Sequence, residues 1–320
     1  VKLLVTGGAG YVGSVVAARL LETGHEVVVL DNCSTGKASS VPDGAELVRA
    51  SLRTGAAEVL GRGGFDAVLH FAAKSVTGES VRDPALYWDQ NLGESLALFD
   101  AMRRHDVLRI VFSSTAATYG TPERTPIEET APTRPVSPYG ATKLAIDTAL
   151  ASFAELHGFA AVSLRYFNVA GAYGPFGERH DPETHLIANV LKVALGGAES
   201  VSVFGTDYPT PDGTCVRDYI HVVDLAEAHL LALAAAAPGR HQIFNLGTGS
   251  GNSVYEVIDM CREVIGRPIP VVTEPRREGD PTTLVASAEL IRRELGWRPA
   301  RDLREMVADA WAFAQKEAEA

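Results

Sequence analysis

Tyr139 and Lys143 stand four residues apart in Tyr139-Gly140-Ala141-Thr142-Lys143, directly after Pro138. On a helix that spacing puts both side chains on one face, about one turn apart. An ammonium beside a phenol favours phenolate, which would draw the tyrosine pKa from its usual ~10 toward neutrality. Such a phenol can serve as a general base. Taken alone, the same spacing also describes a surface pair worth ~0.3–0.5 kcal/mol. Upstream, the apolar run Arg109–Ser113 leads into Ser114-Thr115. In an open α/β sheet ligands bind beyond the carboxyl ends of the strands, so a hydroxyl at Thr115 could bridge a substrate hydroxyl and the phenol.

A second chemical element lies at the start of the chain. Val5-Thr6-Gly7-Gly8-Ala9-Gly10-Tyr11-Val12-Gly13 follows a strand-like run and opens a helix-like one. Gly7, Gly10 and Gly13 form G-x-x-G-x-x-G, and without Cβ atoms the turn can bring backbone N–H groups and a helix N-terminus against a pyrophosphate. A second strand ends in Leu30-Asp31-Asn32. A carboxylate at Asp31 can accept both adenosine-ribose hydroxyls and would repel a 2′-phosphate, which favours NAD over NADP. A glycine-rich turn is a weak signal alone; turn, strand-end hydroxyl and Tyr-x-x-x-Lys in this order are far more specific.

These residues need a scaffold that holds them. Val1–Thr6, Glu26–Leu30, Ala67–Phe71, Arg109–Ser113 and Ala160–Arg165 read as buried strands; Tyr11–Glu22, Pro84–His105 and Pro138–His157 read as the helices between them. That alternation predicts an α/β fold, a Rossmann-type doubly wound parallel sheet with helices on both faces. After about Asn168 the pattern loosens into loops at Gly171–Pro182, Gly205–Gly213 and Glu274–Pro281. We therefore expect an NAD-binding domain over 1–168 and a smaller α/β substrate-binding lobe over 169–320, with the chain free to cross between them. The acidic, Ala-rich end is expected to fray.

Composition narrows the function classes. With 320 residues, 46% apolar and 22% charged, the chain is an ordinary globular one. A net charge of -11 argues against nonspecific binding to nucleic acid or an anionic membrane. An anionic substrate must then be held by a few local cations. Cys33, Cys215 and Cys261 are odd in number and far apart, which argues against a disulfide framework or zinc site and fits a reducing cytoplasm. No metal is expected. A strand and glycine-rich turn occupy the first residues where a signal peptide would stand, and Leu230–Ala237 is too short to span a bilayer and reads as a buried helix.

Further motifs run nearly end to end: His70-Phe71-Ala72-Ala73, Ser137-Pro138-Tyr139-Gly140, Arg165-Tyr166-Phe167-Asn168, the segment Asp212 to Val222 with its V-R-D-Y-I-H-V core, Phe244-Asn245-Leu246-Gly247 and Arg276-Arg277-Glu278-Gly279-Asp280. With them the chain resembles the UDP-glucose 4-epimerase family, in the extended branch of the short-chain dehydrogenase/reductase superfamily. The resemblance implies interconversion of UDP-galactose and UDP-glucose by transient C4 oxidation with tightly bound NAD, rotation of the 4-keto sugar and hydride return. It makes Tyr139 the base and acid, Lys143 its tuning cation and Thr115, more often Ser in the family, the proton relay. It implies cofactor contacts from Gly7, Gly10, Tyr11, Val12, Gly13, Asp31, Asn32, Ser51, Leu52, Phe71, Ala72, Ala73, Asn91, Ser113, Tyr139, Lys143 and Tyr166. Substrate contacts fall to Thr115, Tyr139, Asn168, His185, Leu186, Ser202, Phe204, Arg217, Tyr219, Arg277 and Asp280, with Arg276 an alternative to Arg277. Arginine forks suit a diphosphate, although each arginine alone reads equally as a solvated charge. A homodimer through helices near Asn91–His105 and Pro138–His157 is also implied; Leu92, Leu96, Phe99, Leu144, Leu150 and Phe153 read equally as dimer face or core.

Departures from the family pattern matter. Ser51 stands where some members carry Asp, Ser75 beside Lys74 where some carry Lys, and His185 where others carry Asn, either to bind phosphate or to cap a helix. Leu284 stands where members vary between an aromatic and a small residue, so 2-N-acetyl sugars stay open as substrates. The nearest rival, a nucleotide-sugar 4,6-dehydratase, carries adjacent Asp and Glu after the Ser/Thr; Ala116 and Ala117 cannot transfer protons. A non-catalytic NAD-sensing protein needs no intact Thr115, Tyr139 and Lys143.

Overall fold

The computed structural model describes residues 1–180, 183–277 and 279–319; Pro182 and Glu278 of the motifs above lie outside the described residues. The first half alternates β1 (Lys2–Thr6), α1 (Tyr11–Glu22), β2 (Glu26–Asp31), β3 (Glu46–Arg49), α2 (Leu52–Gly61), β4 (Phe65–His70), α3 (Thr77–Arg82), α4 (Pro84–Tyr87), α5 (Glu94–Arg104), β5 (Arg109–Thr115), α6 (Pro138–His157) and β6 (Ala160–Tyr166). The second half adds β7 (Asn168–Ala170), α7 (Leu186–Ala194), β8 (Val201–Phe204), β9 (Val216–His221), α8 (Val222–Ala235), β10 (Arg240–Leu246), β11 (Gly251–Ser253), α9 (Val254–Ile265), β12 (Val271–Glu274), β13 (Thr283–Leu284), α10 (Glu289–Leu295) and α11 (Leu303–Glu319).

Seven parallel strands form the main sheet in the order β10-β6-β5-β4-β1-β2-β3. Runs such as Leu3–Val5 and Ile110–Phe112 are buried throughout, as strands covered on both faces must be. One core, with Val15, Val16, Leu225 and Ala226, covers one face; the other, with Leu98, Phe99, Ile146 and Leu150, covers the opposite face. This is the doubly wound sheet expected. The strand order reverses about β1, where a ligand crevice opens at the carboxyl ends. The last strand, β10, comes from the second half and pairs with β6 over Arg240–Leu246.

The second lobe builds a small sheet, β11-β9-β13 with β7 on β9, plus the pair β12-β8, over its own core. Two findings differ from the sequence expectation, and one open choice is narrowed. Pro84–His105 is not one α-helix, since a π-helical turn at Trp88–Gly93 separates α4 from α5. Of the residues read equally as dimer face or core, Phe99 and Leu150 belong to the core. The C-terminal end does not fray before Glu319: α11 continues, and Glu317 is gripped by the Arg179 guanidinium at 2.6 and 2.7 Å.

Candidate active site

The crevice of about 420 Å³ lies over β1, β2, β4 and β5. Its floor is the glycine turn. Gly7 has φ +73, and a Cβ there would lie 2.5 Å from the Ala72 amide nitrogen; a Cβ on Gly13 would lie 2.2 Å from the Gly7 carbonyl oxygen. Side chains at these positions would fill the cradle. No side chain caps the N-terminus of α1, so its first amides remain for a ligand anion. Asp31 sits at the far rim, one carboxylate oxygen accepting from the Ala9 amide at 3.0 Å and the other from Cys33 at 2.7 Å. Each oxygen keeps lone pairs for a ribose hydroxyl. This donor set fits a dinucleotide. Ser51 also lines the crevice while capping α2 through the Thr54 amide.

All of the expected cofactor residues line this crevice except Asn91. Asn91 is fully buried in the π-helical turn; it accepts from the Lys74 amide at 2.8 Å and donates to the Lys74 carbonyl and the Thr142 hydroxyl. It braces the wall rather than forming it, and Gln90 and Glu94 line the crevice from that side.

The reactive side chains converge on the opposite wall. α6 starts with Ser137 accepting from the Gly140 amide at 3.2 Å and Pro138 in its first turn, and ends at the left-handed Gly158. This places Tyr139 beside Thr115 at the end of β5, joined by a hydrogen bond, and packs the Tyr139 ring edge-on against buried Tyr87. Lys143 is buried one turn on; its Nζ donates to the Ser113 carbonyl at 2.9 Å and lies 4.8 Å from the Phe112 ring centre. Burial pushes the Tyr139 phenol above its ordinary value, and the Thr115 hydrogen bond pulls the other way. Burial also brings Lys143 down to about 7, against the pull of Asp147, so its charge is itself marginal at neutral pH.

Two neighbouring groups, His70 and Tyr166, are held neutral by burial. His70 is pushed down to about 3 by burial and by Lys143, and bridges Thr6 and Ser95 as a neutral ring. Tyr166 is raised by burial and hydrogen-bonded to Ser113. After Thr115, Ala116–Thr118 forms a single 3₁₀ turn, so the crevice meets methyl groups there.

A connected pocket of about 440 Å³ shares Asn168, His185 and Arg217 with the crevice and adds Leu186, Ser202, Phe204, Tyr219, Arg277 and Asp280. Arg217 pairs with Asp280 at 3.3 Å and donates to the Val216 carbonyl. Arg277 lies over the Phe204 ring at 3.8 Å, whereas Arg276 turns away to Asp207 and the Tyr208 ring. The geometry thus separates the two arginines: only Arg277 lines the pocket. Tyr219 is buried in the second core and contributes wall. His185 precedes α7 without capping it by its side chain; its Nδ1 meets Glu183 at 2.8 Å instead. Leu284 reaches the crevice because β13 pairs it with Arg217 of β9.

Sequence reasoning missed Asp147, Glu178 and His180. Asp147 is buried and takes Arg165 at 2.9 and 3.0 Å and Ser114 at 3.1 Å, four residues beyond Lys143. Its signal was the further four-residue step along the same helix face. Glu178 and His180 line the crevice from a loop whose charges carried no periodicity.

Comparison with known proteins agrees with this arrangement. Residues 3–247 match the model of the NAD dependent epimerase/dehydratase family. The chain is 59% identical over 313 residues to a UDP-glucose 4-epimerase of Corynebacterium glutamicum, covering 98% of this chain and 95% of that one. The structure of a UDP-glucose 4-epimerase of Stenotrophomonas maltophila with bound NAD and formylated UDP-arabinopyranose superposes with a TM-score of 0.95, at 40% identity and 99% coverage of each chain. The enzyme of Bifidobacterium longum, solved with NAD+ and UDP, gives 0.94 at 37% identity, again covering 99% of each.

Proposed function

The chain belongs to the NAD dependent epimerase/dehydratase family, and from that premise we propose that it interconverts UDP-galactose and UDP-glucose by inverting C4 of the sugar. The observation that carries the reading is the convergence of Thr115, Tyr139 and Lys143 on one wall of the crevice, with Ala116 and Ala117 where elimination would require an acid and a base. NAD would supply the reversible hydride acceptor and a positive ring that favours phenolate. The glycine turn, Asp31, Asn32 and Lys143 hold it.

Tyr139 takes the 4-OH proton, directly or through Thr115, as hydrogen leaves C4. Asn168, Arg217 and Arg277 hold the diphosphate, Phe204 and Asp280 the nucleoside side. The 4-keto sugar turns about its link to that fixed anchor, presents its other face, and Tyr139 returns the proton as hydrogen comes back. Fixing the nucleotide tightly and the sugar loosely is what inversion requires. Incubation with UDP-galactose yields UDP-glucose; a 4-keto-6-deoxy sugar absorbing in alkali, or no product, overturns the reading. Tyr139→Phe lowers kcat by ~10²–10⁴ with an unchanged circular dichroism spectrum.

Leu284 is intermediate in bulk at the sugar end, which favours acceptance of UDP-N-acetylhexosamines as a second activity; turnover of UDP-N-acetylgalactosamine beside UDP-galactose decides it. The working form is a homodimer joined through the outer faces of α5 and α6. In support, Leu96 of α5 and Trp88 of the π-helical turn before it are exposed, at 40% and 42%. Leu96→Glu then gives a monomer by light scattering, and an unchanged mass removes this interface. Three free thiols favour a cytoplasmic setting, and among the described residues no helix is long and apolar enough to cross a membrane.

A further inference from the structure

On the wall of the crevice, beside the start of α7, Glu178, His180 and His185 each offer a donor atom within 4.8 Å of the others. His185 Nδ1 lies 3.3 Å from one Glu178 oxygen. The edge of a tetrahedron around zinc, with bonds of ~2.0–2.1 Å, is about 3.4 Å. His180 Nδ1 abuts the other Glu178 oxygen but is buried without an aligned hydrogen bond. Glu183 brings a fourth donor, 2.8 Å from His185 Nδ1. We propose that Glu178, His180 and His185 form a site for a divalent transition metal ion, with Glu183 or an incoming oxygen completing the coordination.

The donors are held in place by their surroundings. One Glu178 oxygen accepts from the amides of Arg179 at 3.0 Å and His180 at 3.2 Å, and Glu183 accepts from Thr184 and His185, both at 2.6 Å. Such outer hydrogen bonds orient ligating carboxylates. Arg179, between the donors, locks the loop to the rest of the fold: it grips Glu317, donates to Ser40 at 2.9 Å and lies over the Phe313 ring at 4.6 Å. Two imidazoles with one or two carboxylates and no thiolate select zinc, cobalt or nickel. Calcium and magnesium require sets of oxygens that this cluster does not supply.

Location gives the site a purpose. Glu178 and His185 line the same crevice as Asn168 and Arg217. The Glu178 carboxylate there would repel a dianionic diphosphate, and a dication both offsets it and leaves an open position toward that anion. The sequence expectation of no metal rested on cysteine spacing, whereas this set contains no cysteine.

The test uses the full chain after chelator treatment and desalting, titrated with Co²⁺ alone and followed by its d–d absorption, then displaced with Zn²⁺. A single saturating equivalent with the intense visible bands of a four-coordinate ion is expected. His180→Ala and Glu178→Gln should each weaken binding by about 100-fold; Gln keeps the acceptor for the two backbone amides. All three cysteines remain in these variants, so thiol binding would not distinguish them. Thermal melts without metal identify any variant that fails to fold. Absence of saturable bands in the parent chain, or equal affinity in parent and folded variants, overturns the proposal. No sugar nucleotide is present, so that failure would leave the epimerase reading untouched.

Discussion

The two sides of the site are built from different materials. The cofactor side is mostly backbone: a glycine turn, strand ends and a carboxylate fixed by two amides. The side proposed for the nucleotide sugar is mostly long side chains, each held by a partner far along the chain, as Arg217 is by Asp280 and Arg277 by the Phe204 face. Backbone cradles are stiff and fail outright when altered. Side-chain clamps are adjustable and fail by degrees. That contrast suits a reaction in which one ligand stays put while the other enters, turns and leaves.

The contrast can be broken at three points. The largest effect falls on the cradle: in Gly13→Ala the added methyl meets the Gly7 carbonyl oxygen at 2.2 Å, so NAD retention falls more than ~100-fold and activity with it. Purified variant carrying parent levels of NAD would show that the turn is not stiff. Next, Arg217→Met on the clamp raises KM for UDP-galactose by ~10–100-fold, the worth of a charge-assisted hydrogen bond, with kcat changed only a few-fold. A fall in kcat with constant KM would move Arg217 into the chemistry. The smallest effect is at the junction of the two sides. Thr115→Val removes the hydrogen bond that pulls the Tyr139 pKa down, so the phenol rises further. Because the base must be ionised, the acid limb of the kcat profile moves to higher pH and kcat falls ~10-fold at neutrality. An unshifted limb would mean that Thr115 serves only as a strand end.

The same contrast explains what could be read from the sequence. The glycine spacing, α1 and α6 were legible to the residue, because local patterning sets them. β3 was not, being a half-exposed edge strand of four residues, and neither was β10, whose Arg-His-Gln start breaks the apolar run. The π-helical turn escaped because such i→i+5 turns are rare single-turn insertions within otherwise α-helical sequence. Tyr139 and Lys143 were singled out by spacing, which carries no information on their burial, a property of the whole fold. The Glu178, His180 and His185 cluster depended on how a loop folds back beside the start of α7, which no local pattern encodes.

β10 has a consequence for how the protein is born. It is laid down some 75 residues after β6, yet the two pair along their full length. A ribosome-bound chain that has delivered only the first six strands presents Ala160–Tyr166 as an open ribbon of unpaired amides and carbonyls, a template for other chains. About half of the second lobe must therefore be synthesised before the main sheet can seal, which ties the two halves of the chain into one act of folding.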